Sequence, residues 1–124
     1  MNILPVSILL LPSMRAVAYL GALRALGVVP ESCILMAGDI PRLSDILQEN
    51  ERHQYARQFF DVKLDIKEYL ALQRVPTHCV RARNCNEGEV VDAVRQCRSD
   101  TLIYTGGGIL KAEILGLGKQ FIHV

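Results

Sequence analysis

The sequence has no excess of either charge: 14 Lys and Arg stand against 13 Asp and Glu, a formal net charge of +1. That argues against a broad phosphate-backbone surface and so against DNA, while a local basic patch leaves RNA open. Metal-ligand spacing is also missing. The cysteines Cys33, Cys79, Cys85 and Cys97 form no paired C-x-x-C units. They read as reduced thiols, with Cys33 a small buried hydrophobe in an apolar run. His78 and Cys79 are adjacent, but neighbouring strand residues point to opposite faces and do not make one ligand set. There is no bilayer-length apolar run. Val6–Leu11 is too short to span a membrane, and the N-terminal stretch lacks a basic segment and is interrupted by Pro5 and Pro12. A soluble, cytoplasmic chain without a membrane partner is the expectation. Nucleotide signatures are absent too. Gly106–Gly108 do not complete G-x-G-x-x-G, and Lys111 comes too late for a phosphate-binding P-loop.

What is present is a globular pattern. Half of the residues are apolar and 22% are charged, enough for one domain over residues 1–124. Strand-like and helix-like segments alternate. Val6–Leu11 is a continuous apolar run of the kind found in a parallel strand covered on both faces. Ser13 caps a helix over Met14–Leu26, whose apolar face is read as Met14, Val17, Ala18, Gly21 and Ala25, with Gly27 as the stop. Cys33–Ala37 is the second strand. Ser44–Arg57 is polar and partly helical, and Phe59 and Phe60 anchor it to the core. Asp65 caps a short helix to about Arg74, before Pro76. Thr77–Arg81 is a weaker strand. Asn86 with Glu89 resembles a capping box opening a helix through about Arg98, with Val90, Val91, Val94 and Cys97 on its apolar face. Thr101–Tyr104 is a strand, Gly106–Gly108 a loop, Ile109–Leu115 a short helix and Gln120–Val124 a final strand. Strands alternating with helices predict an α/β, Rossmann-like three-layer domain with a mostly parallel sheet. A chain whose last residues are strand residues is expected to be part of something longer.

The stretch SDTLIYTGGGILKAEILGLGKQFIHV, Ser99 to Val124, resembles the formyltransferase superfamily. That superfamily includes methionyl-tRNA, glycinamide ribonucleotide and sugar-nucleotide formyltransferases. Asp100 matches the family's aspartate and Leu102–Tyr104 its strand. Gly106–Gly108 match its small-residue loop, Ile109 and Leu110 its Ile-Leu pair, and Phe121–Val124 the strand that follows. The resemblance implies that 10-formyltetrahydrofolate is the cofactor and that Tyr104, Gly106, Gly107, Gly108, Ile109 and Leu110 line its pterin end. Glycines there let a ligand approach the main chain. The family's catalytic Asn falls at His123, and a histidine also donates a hydrogen bond to an oxyanion. The family's catalytic His would fall one residue past Val124 and its Asp further on, so the chain alone is expected to be inactive. Some relatives hold substrate phosphate where the first strand meets its helix, which here means Ser13 and Arg15.

The reaction implied is transfer of a formyl group to an amine, whose identity the sequence leaves open. Attack on the formyl carbon makes an oxyanion that needs donors, and the amine must lose a proton. Two other readings use the same residues. One is a non-catalytic nucleotide or sugar-nucleotide binding module, in which the glycines are only a tight turn and His123 an ordinary strand residue. The other is a structural fragment that forms a homodimer through an open strand edge. Asp39, Arg42 and Asp45 follow the second strand, where ligand contacts are plausible but a solvated loop is the default. Arg81 and Arg83 read as a charged strand end.

Overall fold

Hydrophobic runs in the first two strands set the centre of the sheet. The computed structural model describes residues 2–36 and 58–123. Strands β1 (Asn2–Leu10) and β2 (Val28–Met36) pair in parallel, and both bury their last four residues. Ile8, Leu10, Cys33 and Leu35 face one core; Leu9, Ile34 and Met36 face the other. This alternation explains the unbroken apolar runs, since both faces of the sheet are covered. Cys33 is 1% exposed, and burial pushes its thiol far up from the usual range.

Both strands begin earlier than the sequence pattern predicts. Asn2, Ile3 and Leu4 pair with Val28, Val29 and Pro30, and the register then shifts between Leu4 and Ser7. Pro5 and Pro30 lack ladder donors and so hide this extension from a pattern of alternating residues.

The sheet is completed by β3 (Thr77–Val80), β4 (Thr101–Tyr104) and β5 (Gln120–Ile122), all parallel, in the order β3-β2-β1-β4-β5. The expected Rossmann-like α/β architecture is therefore present. Helix α1 (Met14–Ala25) starts at Ser13, whose hydroxyl accepts from the Ala16 amide at 3.1 Å. It ends at Leu26 and Gly27, the glycine at φ +70°. Its buried residues are Ala16, Val17, Leu20 and Leu23. That corrects the expected face, of which only Val17 is buried. The larger leucines take the sheet side because they remove more apolar surface from water than alanine or glycine. Ala18 and Gly21 are only half-buried, and a Cβ on Gly21 would stand 3.7 Å from that of Phe60. Phe60 thus packs on the core as expected, whereas Phe59 is 70% exposed.

Helix α2 (Ile66–Leu72) is capped by Asp65, as expected, with the Glu68 amide donating to its carboxylate at 3.0 Å. Helix α3 (Gly88–Gln96) buries Val90, Val91, Ala93 and Val94 on the opposite side of the sheet. The last helix, α4 (Ala112–Leu115), is one turn, so Ile109 and Leu110 belong to the loop before it. Helices α1 and α2 cover one face and α3 and α4 the other. Among the described residues no helix is long and apolar enough to cross a membrane. Asp39, Arg42, Asp45 and the stretch Ser44–Arg57 lie outside the described residues, as does Val124.

Candidate functional site

Strand order reverses between β1 and β4. From β1 the chain builds outward to β2 and β3, then crosses over to β4 and β5 on the other side. In open parallel sheets the connecting loops diverge at such a point and leave a crevice beyond the carboxyl ends of the strands. Here that crevice is bounded by Leu11–Ser13 after β1 and Thr105–Leu110 after β4.

Thr105 stitches the two strand ends together. Its amide donates to the Leu9 carbonyl at 3.1 Å, and its hydroxyl accepts from the Leu11 amide at 3.1 Å. The glycines that follow are all at positive φ: +153°, +117° and +99° for Gly106, Gly107 and Gly108. At two of them a side chain would also crowd a neighbour. A Cβ on Gly107 would lie 3.1 Å from Met36 Cε, and one on Gly108 would lie 2.6 Å from Asn84 Nδ2. At Gly106 the nearest atom is Leu11 Cδ2 at 4.0 Å. Positive φ is what calls for glycine here, and a side chain at 107 or 108 would in addition displace the end of Met36 or Asn84.

Those neighbours form a clamp. The Cys85 amide donates to the Gly107 carbonyl at 2.8 Å, and its thiol donates to the Gly108 carbonyl at 3.8 Å. Asn86 Nδ2 donates to the Ile109 carbonyl at 2.7 Å while its Oδ1 accepts from the Lys111 amide at 2.8 Å. The turn itself is held by Glu87, whose carboxylate accepts from the amides of Arg83 at 2.8 Å and Asn84 at 2.9 Å. Those donors hold the Glu87 carboxyl below its ordinary range. The expected capping box is therefore absent. Glu87 occupies the cap position of α3 without a side-chain cap bond, and Glu89 accepts from the Arg81 amide instead. Asn86 has the residue type of a cap but fastens a loop 23 to 25 residues away.

The clamp engages the carbonyls of Gly107, Gly108 and Ile109. The amides of Gly106, Gly107 and Gly108 meet no acceptor among the described residues. Three neighbouring donors at a half-open rim, with Ile109 84% exposed beside them and Leu110 half-buried, make a surface with unfilled hydrogen-bonding capacity.

Tyr104 supports this rim from below. It is 6% exposed and lies close to the Cys85 thiol. Burial pushes the hydroxyl up to about 12, with Cys85 adding to the shift and Arg15 opposing it. Burial likewise raises the Cys85 thiol. The Tyr104 ring packs against His123, centroids 5.0 Å apart and planes tilted by 41°. On its other side His123 meets Arg15, which donates from Nη1 to the imidazole Nε2 at 3.2 Å.

The structure thus brings Arg15, Tyr104, Gly106–Gly108, Ile109, Leu110 and His123 to one end of the sheet. Ser13 lies on the same rim, with its hydroxyl engaged in capping α1. Asn84, Cys85, Asn86 and Glu87 belong to the site but carry no local signal for it.

A second polar cluster lies toward the other end of the strands. Ser7 is fully buried and bonded to Ser32 at 2.5 Å, to Ser99 at 2.8 Å and to the Cys97 thiol at 3.1 Å. Ser99 donates to the Glu31 carboxylate at 2.6 Å, and Lys119 donates to the Cys97 and Ser99 carbonyls at 2.7 and 2.8 Å. A hollow of about 310 Å³ adjoins it, lined by Ser32, Thr77, His78, Gln96 and Cys97 among others. It opens at the amino ends of the strands, the end that parallel α/β sheets do not ordinarily use for ligands.

A scan against models of known protein families finds no match to this chain, and a search of curated proteins finds none either.

Proposed function

We propose that this chain forms the cofactor side of a formyl-transfer site at the β1/β4 crevice, with 10-formyltetrahydrofolate as donor and an amine as acceptor. The observation that carries this reading is the glycine loop, with three adjacent amides that meet no acceptor among the described residues, beside a nearly bare Ile109. A flat heteroaromatic edge with its own acceptors matches those amides, and its apolar face matches Ile109 and Leu110. On this basis the residues present fit the pterin end of a folate. The bound cofactor would supply the activated one-carbon group.

The chain's own residues divide the remaining work. Gly106–Gly108 bind through the main chain and are kept in shape by Asn86 and Cys85. Tyr104 fixes the floor. With its Nε2 engaged by Arg15, His123 would offer its other ring nitrogen as a donor to an oxyanion. Ser13 and Arg15 are less suited to substrate phosphate than the resemblance implies, because the hydroxyl caps α1 and the guanidinium engages His123.

Titration calorimetry with a non-hydrolysable 10-formyltetrahydrofolate analogue tests the reading. The comparison is with Ile109→Asp, a change at an exposed position that leaves the fold intact. Binding to the parent chain, weakened at least tenfold by the aspartate, is the expected result. No heat of binding to either chain, with both folded, contradicts it.

A further inference from the structure

Arg15 and His123 come from opposite ends of the sequence, 108 residues apart, yet their side chains meet at 3.2 Å. A guanidinium has only donors, so Nε2 of the imidazole must be the acceptor in this bond. A neutral imidazole that accepts at Nε2 carries its proton on Nδ1. A free histidine side chain favours the opposite tautomer, with the proton on Nε2. The Tyr104 ring, 5.0 Å from the imidazole, restricts the plane in which the remaining N–H points. Tyr104 is itself buried, 6% exposed. The orientation of one exposed histidine is thus specified from two sides.

We propose that Arg15 is a positioning residue for His123: it selects the Nδ1–H tautomer and so makes Nδ1–H the hydrogen-bond donor of the site. The purpose of that donor rests on the formyl-transfer reading; the tautomer selection does not. Arg15 contacts His123 rather than the reacting atoms and acts only through it.

The test is a long-range ¹⁵N–¹H correlation spectrum of the labelled chain at about pH 9, well above the ordinary histidine range. The ring nitrogen shifts of His123 report its tautomer, and His78 in the same spectrum serves as an exposed reference. In the parent chain His123 should be mainly Nδ1–H. In Arg15→Ala the ratio should move toward Nε2–H by about fivefold, the typical worth of one hydrogen bond. Arg15→Lys, which retains a donor, should recover part of the shift. A change confined to folding or general packing would move the amide spectrum without this swap of ring nitrogens. A His123 that is mainly Nε2–H in the parent chain, or a ratio unaltered in Arg15→Ala, overturns the proposal. Failure of the folate analogue to bind overturns the formyl-transfer reading and leaves the Arg15–His123 coupling as measured.

Discussion

The two polar clusters of this sheet differ in how completely they satisfy themselves. Around Ser7 each hydroxyl, the Cys97 thiol and the Lys119 ammonium have partners within the protein. Around Gly106–Gly108 the carbonyls of Gly107 and Gly108 are engaged, while the three amides meet no acceptor among the described residues. A closed network adds stability and fixes register, whereas a half-open one holds donors ready for something else. The difference separates structure from site more sharply than residue type does, since serines, a cysteine, Glu31 and Lys119 would look the more reactive set in the sequence.

The comparison is most exposed to a change in the loop backbone. Gly107→Val places a branched side chain at φ +117° and against Met36. It should cost about 2–4 kcal/mol, combining backbone strain with overpacking. Urea denaturation measures it, and a loss below 1 kcal/mol would mean that the loop is not clamped.

Ser7→Ala should cost about 1–3 kcal/mol, because three partners lose their contact in a buried place. Folate-analogue affinity should be unchanged in this variant. A matching loss of affinity would merge the two clusters into one site.

Alkaline unfolding probes Tyr104. Its folded hydroxyl titrates at about 12 against an ordinary value of 10. The folded state therefore holds the proton more tightly than the unfolded state. That contribution is fully present below pH 10 and is lost as the pH rises toward 12. Screened at the rim, it amounts to about 1–2 kcal/mol. Stability curves of the parent chain and Tyr104→Phe should converge over this window, and parallel curves would show that the tyrosine is not held.

Asn86→Ala removes both bonds to the loop and should cost about 1–2 kcal/mol, with faster hydrogen exchange at Gly106–Lys111. At the low end, Arg95→Ala breaks an exposed pair with Asp92 and should change stability by less than about 0.5 kcal/mol. An effect as large as that of Asn86 would show that exposed charge, not the clamp, governs local stability.

Much of the architecture was legible because both faces of the sheet are buried. Apolar runs such as Val6–Leu11 and the valines of α3 announce themselves locally. The Rossmann-like order followed from strands alternating with helices. The face of α1 was not legible, since a stripe of small residues and a stripe of leucines overlap in one helix and only the sheet decides between them. Nor was the clamp. An asparagine before a helix has the same appearance whether it caps that helix or fastens a loop distant in sequence. The convergence of Arg15 with His123 depends on β5 lying beside β4, a fact of topology that no local spacing carries.

The most direct test of the central claim is a ¹H–¹⁵N titration of the chain with the folate analogue. The amides of Gly106, Gly107 and Gly108 should shift first and furthest, with Ser7, Ser32 and Ser99 unmoved. Shifts confined to the hollow around Thr77, His78 and Gln96, or no shifts at saturating analogue, would contradict it.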